Sequence, residues 1–269
     1  LAGLGLSTSS LAVIAATGFL TQAAIGLALN ALTPKPVLPN VNRGYQINSD
    51  GSAQDFQIIY GEVRVGGARI YKTTGQRSGD EEDERFAQVI AIAGHEVDSF
   101  TGFYIDENLE EMSTFTGDPS GFNLIAPTNP KFARESNGIP RVLLDTRTGT
   151  PTQTAFPALV DLKTEWTTDH KGSGIALLYT ELQYHPDIFP SGVPEITALV
   201  KGKKVYDPRV VAHDVDDPST WEWSDNPALC IADYLMADFG LGELPGNIDW
   251  TTVTAAANVC DTLALNGEK

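Results

Sequence analysis

Residues 194–242 read PEITALVKGKKVYDPRVVAHDVDDPSTWEWSDNPALCIADYLMADFGLG. Residues 195–200 (EITALV) mix β-branched and apolar side chains, as a strand packed on a core does. Lys201-Gly202-Lys203 reads as a turn, with Gly202 available for positive φ. Val205 and Tyr206 resume an extended run that Asp207-Pro208 ends. Asn226 is a good N-cap, and Pro227 suits the first helical position, where no backbone donor is needed. Leu229, Ala232, Tyr234, Leu235 and Met236 give the helix one apolar face, and Gly240 and Gly242 are expected to end it. A strand, a tight turn and a capped helix thus follow one another. The stretch is a scaffold junction and carries no chemistry of its own.

Upstream, FQIIYGEVRVGGARIYKTT (residues 56–74) reads as a strand, a break at Gly66-Gly67 and a second strand, in the manner of a hairpin. FAQVIAIAG (86–94) has the continuous apolar character of a strand buried on both faces, and Phe100–Asp106 is expected to pair beside it. Between them, GQRSGDEEDER (75–85) is an acidic loop. It lacks regular ligand spacing for a divalent cation, so a solvated loop is the simpler reading. Six prolines punctuate residues 111–164, which read as an irregular or small β insertion with strand character at Val142-Leu143-Leu144. IALLYTELQY (175–184) returns to strand. Asp249 is placed to cap a final helix of mostly small residues, running through Ala255-Ala256-Ala257 to Leu265.

The chain has 269 residues, 42% of them hydrophobic, enough for a sizeable core in one or two domains. It begins with Leu and ends just after a predicted helix, as expected of a piece of a longer polypeptide. The net charge of −17 repels nucleic-acid phosphates and argues against sequence-independent DNA binding, although an acidic surface also serves solubility. Cys230 and Cys260 each fall in a predicted helix and read as small buried hydrophobes. Two thiols so far apart make no disulfide framework, which fits assembly in a reducing cytoplasm. Residues 1–34 carry no charged side chain, and SLAVIAATGFLTQAAIGLAL (10–29) is long enough to span a bilayer as a helix. Burial of that helix against other subunits is the favoured reading; Pro34, Pro36 and Pro39 then start a stiff linker.

No catalytic, cofactor-binding or metal-ligating residue can be assigned. His95-Glu96 begins like a zinc-protease motif, but Ser99 stands where the second histidine must be. His170, His185 and His213 are scattered, as structural histidines are. Asp214, Asp216 and Asp217 imitate the opening of a calcium loop. That loop fails at Ser219, where glycine is needed, and at Asp225, where glutamate is needed. Acid pairs such as Glu110-Glu111 meet the bare requirement of a glycosidase, but 35 acidic residues make chance pairs abundant.

Gly202-Lys203-Lys204-Val205-Tyr206-Asp207-Pro208-Arg209, followed by residues 223–235 (WSDNPALCIADYL), closely resembles the hub region of phage tail tip proteins. The family is that of the tip attachment protein J of lambda-like, long-tailed, non-contractile phages. Residues 60–67 (YGEVRVGG) resemble its first hub strand and residues 93–98 (AGHEVD) the strand that follows. Phe189–Pro194 leads into the junction, and Ile248-Asp249 through Cys260-Asp261 looks like the next family helix. The resemblance covers roughly residues 56–110 and 165–269; residues 1–50 and 111–164 add little to it. The insert Val210–Thr220 is longer than the family pattern leads one to expect.

The resemblance implies an α+β, β-dominated fold of tail-hub β domains with short helices near the C-terminal end. Its parts would be an apolar helical segment at 1–34, a Pro-rich linker at 35–55, a first hub domain at 56–110 plus 165–215, an insertion at 111–164, and the helical start of the next hub domain at 216–269. It further implies a non-enzymatic virion protein, made in the host cytoplasm, that closes the tail tube as a homotrimer and continues into a central fibre. The implied partners are the distal tail ring, other tail tip proteins, the tape measure protein, and phage DNA sliding without specific binding past an acidic wall. Three copies of residues 1–34 would be buried near the threefold axis, to be released toward a host membrane at ejection. Two other classes stay open: a tail-associated murein hydrolase, which would release muropeptides from cell wall, and a receptor-binding adhesin, which would bind host cells alone.

Overall fold

Side chains along the segment Arg85–Ala93 alternate between two apolar environments, and the layering of the fold follows from that alternation. The computed structural model describes residues 48–49, 56–77, 84–116, 121–133 and 138–265, all within one unit, Gly44–Lys269. The expected apolar segment 1–34 and the acidic run 78–83 lie outside the described residues, as does the linker 35–55 apart from residues 48–49. In chain order the first strands are β1 (Glu62–Val65), β2 (Ala68–Gly75), β3 (Arg85–Ala93), β4 (Ser99–Ile105), β5 (Asn108–Glu110) and β6 (Met112–Phe115). Then come β7 (Leu124–Pro127), β8 (Val142–Arg147), α1 (Pro157–Leu162), β9 (Ala176–Gln183), β10 (Ile196–Lys201), β11 (Lys204–Val205), β12 (Glu222–Trp223), α2 (Pro227–Met236) and α3 (Trp250–Leu265). This is a β-dominated α+β fold with its longer helices near the C-terminal end.

A six-stranded antiparallel sheet runs β2-β3-β9-β8-β7-β6, and a four-stranded antiparallel sheet runs β1-β10-β4-β5. Ile90, Leu144, Leu178 and Leu182 on one face of the larger sheet pack against Phe103, Ile105, Ile196 and Val200 of the smaller. On the other face, Val89, Leu143 and Tyr179 are covered by Phe156, by Leu159 of α1 and by Trp166. β3 and β9 are therefore buried on both sides, which is why residues 86–94 and 175–184 read as nearly continuous apolar runs. Residues 111–164, expected as an insertion, supply β6, β7 and β8 to the larger sheet and α1 to the layer over it.

Glu181 stands in this buried layer with no exposed side-chain surface. It is held by Arg77, whose Nε and Nη2 donate at 2.6 and 2.8 Å, and by the Tyr179 hydroxyl, which donates at 2.8 Å. Arg85 Nη1 lies 3.3 Å from the same carboxylate. Burial, followed by the Glu181 charge, pushes the Tyr179 phenol well above its ordinary value.

Four local expectations are corrected. β1 and β2 are not a hairpin: β1 pairs with β10 in the smaller sheet, while β2 pairs with β3 in the larger. Gly66-Gly67 is where the chain changes sheets, and a Cβ on Gly67 would sit 2.1 Å from the Ala91 carbonyl oxygen. Phe100–Asp106 does not join β3, since β4 lies between β10 and β5. Gly202 is absent from the residues with positive φ; it is glycine because a Cβ there would meet the Ile59 carbonyl oxygen at 2.1 Å. α2 ends before the glycines, with Ala237 extended at φ −66°, ψ 143°. The turn that follows folds back, so that Gly240 and Gly242 donate to Ala237 O and Glu243 donates to Leu235 O. These bonds satisfy terminal carbonyls without a left-handed residue directly after the helix.

Candidate functional site

The residues that carry the sequence resemblance converge where the β10–β11 turn, α2 and α3 meet. Leu229 of α2, Val205 of β11 and Ala257 of α3 form a small core of their own. Full burial of a leucine there contributes roughly 1.5–3 kcal/mol. Around that core the polar side chains form a continuous set of ties. Lys203 Nζ donates to both oxygens of Asp233 at 2.7 Å, and the Tyr60 hydroxyl donates to Asp233 Oδ2. Asp233 is 2% exposed and Lys203 23%, so this is a largely desolvated ion pair. Three stretches, residues 56–60, the turn at 201–203 and α2, are fastened at one carboxylate. Burial, reinforced by the Asp233 carboxylate, raises the Tyr60 phenol well above its ordinary value.

A second tie fastens α3. Arg209 donates to Asp207 through Nε and Nη2, at 2.9 and 2.7 Å, and to Asp261 of α3 through Nη1 at 2.6 Å. Asn226 caps α2 as expected, accepting the Ala228 N–H at 3.0 Å, while its Nδ2 donates to Ala257 O and Asp261 Oδ1. Trp223 Nε1 donates to Gly61 O at 3.2 Å, and the Lys201 ammonium lies 4.4 Å from the centre of the Trp223 ring. Asp249 caps α3, accepting the Thr251 and Thr252 N–H groups at 3.1 and 3.3 Å. Chemically the set is a joint: Lys203, Tyr60, Trp223, Asn226 and Arg209 each donate to an acceptor on a different segment of the chain.

The histidines are used in the same way. His95 Nδ1 donates to Glu96 O at 2.7 Å, which leaves Nε2 to accept the Ile59 N–H at 2.9 Å. Burial lowers the His95 pKa below its usual 6.5; Lys203 lowers it further, against the Glu96 carbonyl and Asp233. A lowered native pKa means the unfolded chain takes up the proton first, so this contribution is complete above about pH 6.5 and is lost as pH falls below it. Melting temperatures of the wild type and of His95→Gln, which keeps an acceptor but does not titrate, should therefore diverge between pH 7 and pH 5. The wild type should lose more. Parallel curves would mean that His95 contributes no such linkage.

His170 and His213 accept the N–H groups of Thr167 and Asp207 at 2.9 and 3.1 Å, and His185 Nδ1 lies 3.9 Å from Asp187. Asp214 and Asp217 close their own turns by accepting the Asp216 and Ser219 N–H groups. Glu110 accepts from Asn129 Nδ2 at 3.2 Å. Cys230 and Cys260 sit in α2 and α3 with free thiols. Burial, with Asp233 and Asp225 nearby, pushes the Cys230 thiol up to about 11, so it is protonated at neutral pH and a poor nucleophile. Among the described residues no group of three or more His, Cys, Asp and Glu is arranged to hold a metal ion, and no helix is long and apolar enough to cross a membrane. The Asp233 tie escaped the sequence reading. Its signal was a carboxylate four residues after Leu229, on the buried face of an otherwise apolar helix.

Neither a protein-family model nor a curated protein matches the sequence. Among solved structures, a chain from the virion of a native gene transfer agent (GTA) particle is similar at 15% identity with a TM-score of 0.37. The match covers 75% of this chain and 41% of that one, a likeness too weak to assign a shared fold.

Proposed function

We propose that the chain is a structural subunit of a phage-like virion: the central tail tip, or baseplate hub, protein that closes the tail tube and leads into a central fibre. One observation carries the reading. The residues through which the sequence resembles that family, Lys203, Arg209, Trp223, Asn226 and Asp233, use their polar atoms to bind separate segments to each other, with Asp207 holding the Arg209 guanidinium in place. A part that holds a ring closed under load needs such cross-ties, whereas a reaction centre holds polar groups in readiness for a substrate. In this reading residues 56–110 with 165–215 make the first hub domain, 111–164 are its insertion, and 216–269 begin the next.

The ring is a homotrimer. Closed rotational symmetry suits a part that surrounds a channel, and the family resemblance supplies the number. Its neighbours are the distal tail ring, other tip proteins and the tape measure protein. DNA passes along an acidic wall that does not retain it, and residues 1–34 meet the host membrane at ejection. Receptor engagement shifts subunit contacts and opens the tip. Quantitative mass spectrometry of purified parent particles should find three copies per tail. One copy, six copies or none would sink the hub assignment. Release of muropeptides from purified cell wall by the isolated chain would favour a hydrolase instead.

A further inference from the structure

The outward side of α2 and the turn after it expose Ile231, Tyr234, Phe239, Leu241 and Leu244 at 60, 46, 43, 67 and 70% of their surface. Ile231 and Tyr234 are one turn apart on α2, and the turn that carries Leu241 and Leu244 is bonded back to the end of that helix. The Tyr234 and Phe239 rings lie 6.2 Å apart, and the bonds from Gly240, Gly242 and Glu243 back to Ala237 and Leu235 hold the turn against the helix end. Clustered apolar exposure of this kind marks an interaction site more often than scattered single residues do. Its rim is of one sign. Asp238 and Glu243 are exposed beside it, and residues 210–265 contain ten Asp or Glu and no Lys or Arg. The nearby cation Lys203, 5.8 Å from the Phe239 ring, is bound to Asp233.

We infer that this face docks a segment of a different protein that carries lysines or arginines around an apolar stripe. A second copy presenting the same face would set carboxylates against carboxylates. Residues 1–34 are apolar but hold no cation to meet the rim. A basic amphipathic segment satisfies both halves of the surface, apolar against apolar and cation against carboxylate.

Fluorescence anisotropy with the whole chain tests it, using a short labelled amphipathic helix of Leu and Lys and, as counter-probe, the same helix with Glu in place of Lys. The Lys helix should bind and the Glu helix should not. Leu241→Ser with Leu244→Ser should weaken binding about tenfold while leaving the circular dichroism melt unchanged, since both side chains are exposed. Asp238→Lys with Glu243→Lys should weaken it to a similar degree. Asp161→Lys with Glu165→Lys, an equal charge change on another exposed part of the surface, should leave affinity within about twofold. Failure of the Lys helix to bind overturns the inference. So does equal weakening by the Asp161 and Glu165 pair, which would mean bulk charge attraction. A dimer in sedimentation that the Leu241 and Leu244 variant dissolves would assign the face to a second copy, and tighter binding after deletion of residues 1–34 would assign it to that segment; either result overturns the inference as well.

Discussion

Replacing Glu181 by Ala is expected to lower the stability of the fold by about 3–5 kcal/mol, the usual cost of removing one partner from a buried ion pair. The side chain is wholly enclosed between strands, with Arg85 wholly enclosed beside it and Arg77 7% exposed. Truncation leaves two guanidinium groups facing a space that had held a carboxylate, and it removes the acceptor of the Tyr179 hydroxyl. Glu181→Gln keeps an acceptor near Tyr179 but loses the charge, and it should fall between wild type and Ala. Urea unfolding of the three proteins measures this. An Ala variant within about 0.5 kcal/mol of wild type, the range of ordinary surface substitutions, would mean that the cluster contributes no net stability.

The second large effect is expected at Asp233. Asp233→Ala leaves the Lys203 ammonium, with 23% of its side chain exposed, and the Tyr60 hydroxyl without their shared carboxylate. Because Lys203 can turn partly toward water, the loss should lie at the lower end of the same range, about 3 kcal/mol. The consequence is also local. Hydrogen exchange should speed up in α2 and in residues 56–60 together, while β3 and β9 keep their protection. Lys203→Met in the Asp233→Ala background should recover part of the stability, because the unpaired charge is then gone. If it recovers none, the pair is not coupled.

What the sequence disclosed was whatever depends on neighbours within a few residues. Asn226 and Asp249 were legible as caps because a cap is a bond to the next turn, and Pro227 as a first helical residue because its missing N–H costs nothing there. β3 and β9 were legible because burial on both faces leaves a continuous apolar run. The hairpin expected at Gly66-Gly67 was not there. Two glycines between strands look alike whether the chain turns back or crosses to another sheet, and the choice is made by β10 and β3, which supply the partners. The end of α2 was misread because its terminal carbonyls are satisfied by the later turn instead of by a glycine cap. In the joint, the motif residues were visible as a pattern, but the Lys203–Asp233 bond spans 30 residues and Glu181 meets an arginine 104 residues away. No window of helical or strand period contains such pairs.

The crossing of the chain from one sheet to the other between β1 and β2 has a consequence for biosynthesis. β1 is made early, yet its partner β10 is made late: the Arg64 side chain bonds Thr197, 133 residues further along. At ordinary translation speeds β1 waits on the order of ten seconds for that partner to be synthesised. β3 has to wait for β9 in the same way, with Ile90 opposite Leu178. The nascent chain therefore carries β3 with β2 on one edge and its other edge open until β9 is made, and β1 without its partner until β10 is made. Expression yield should depend on holdase chaperones that shield those edges, more than on the final stability of the fold.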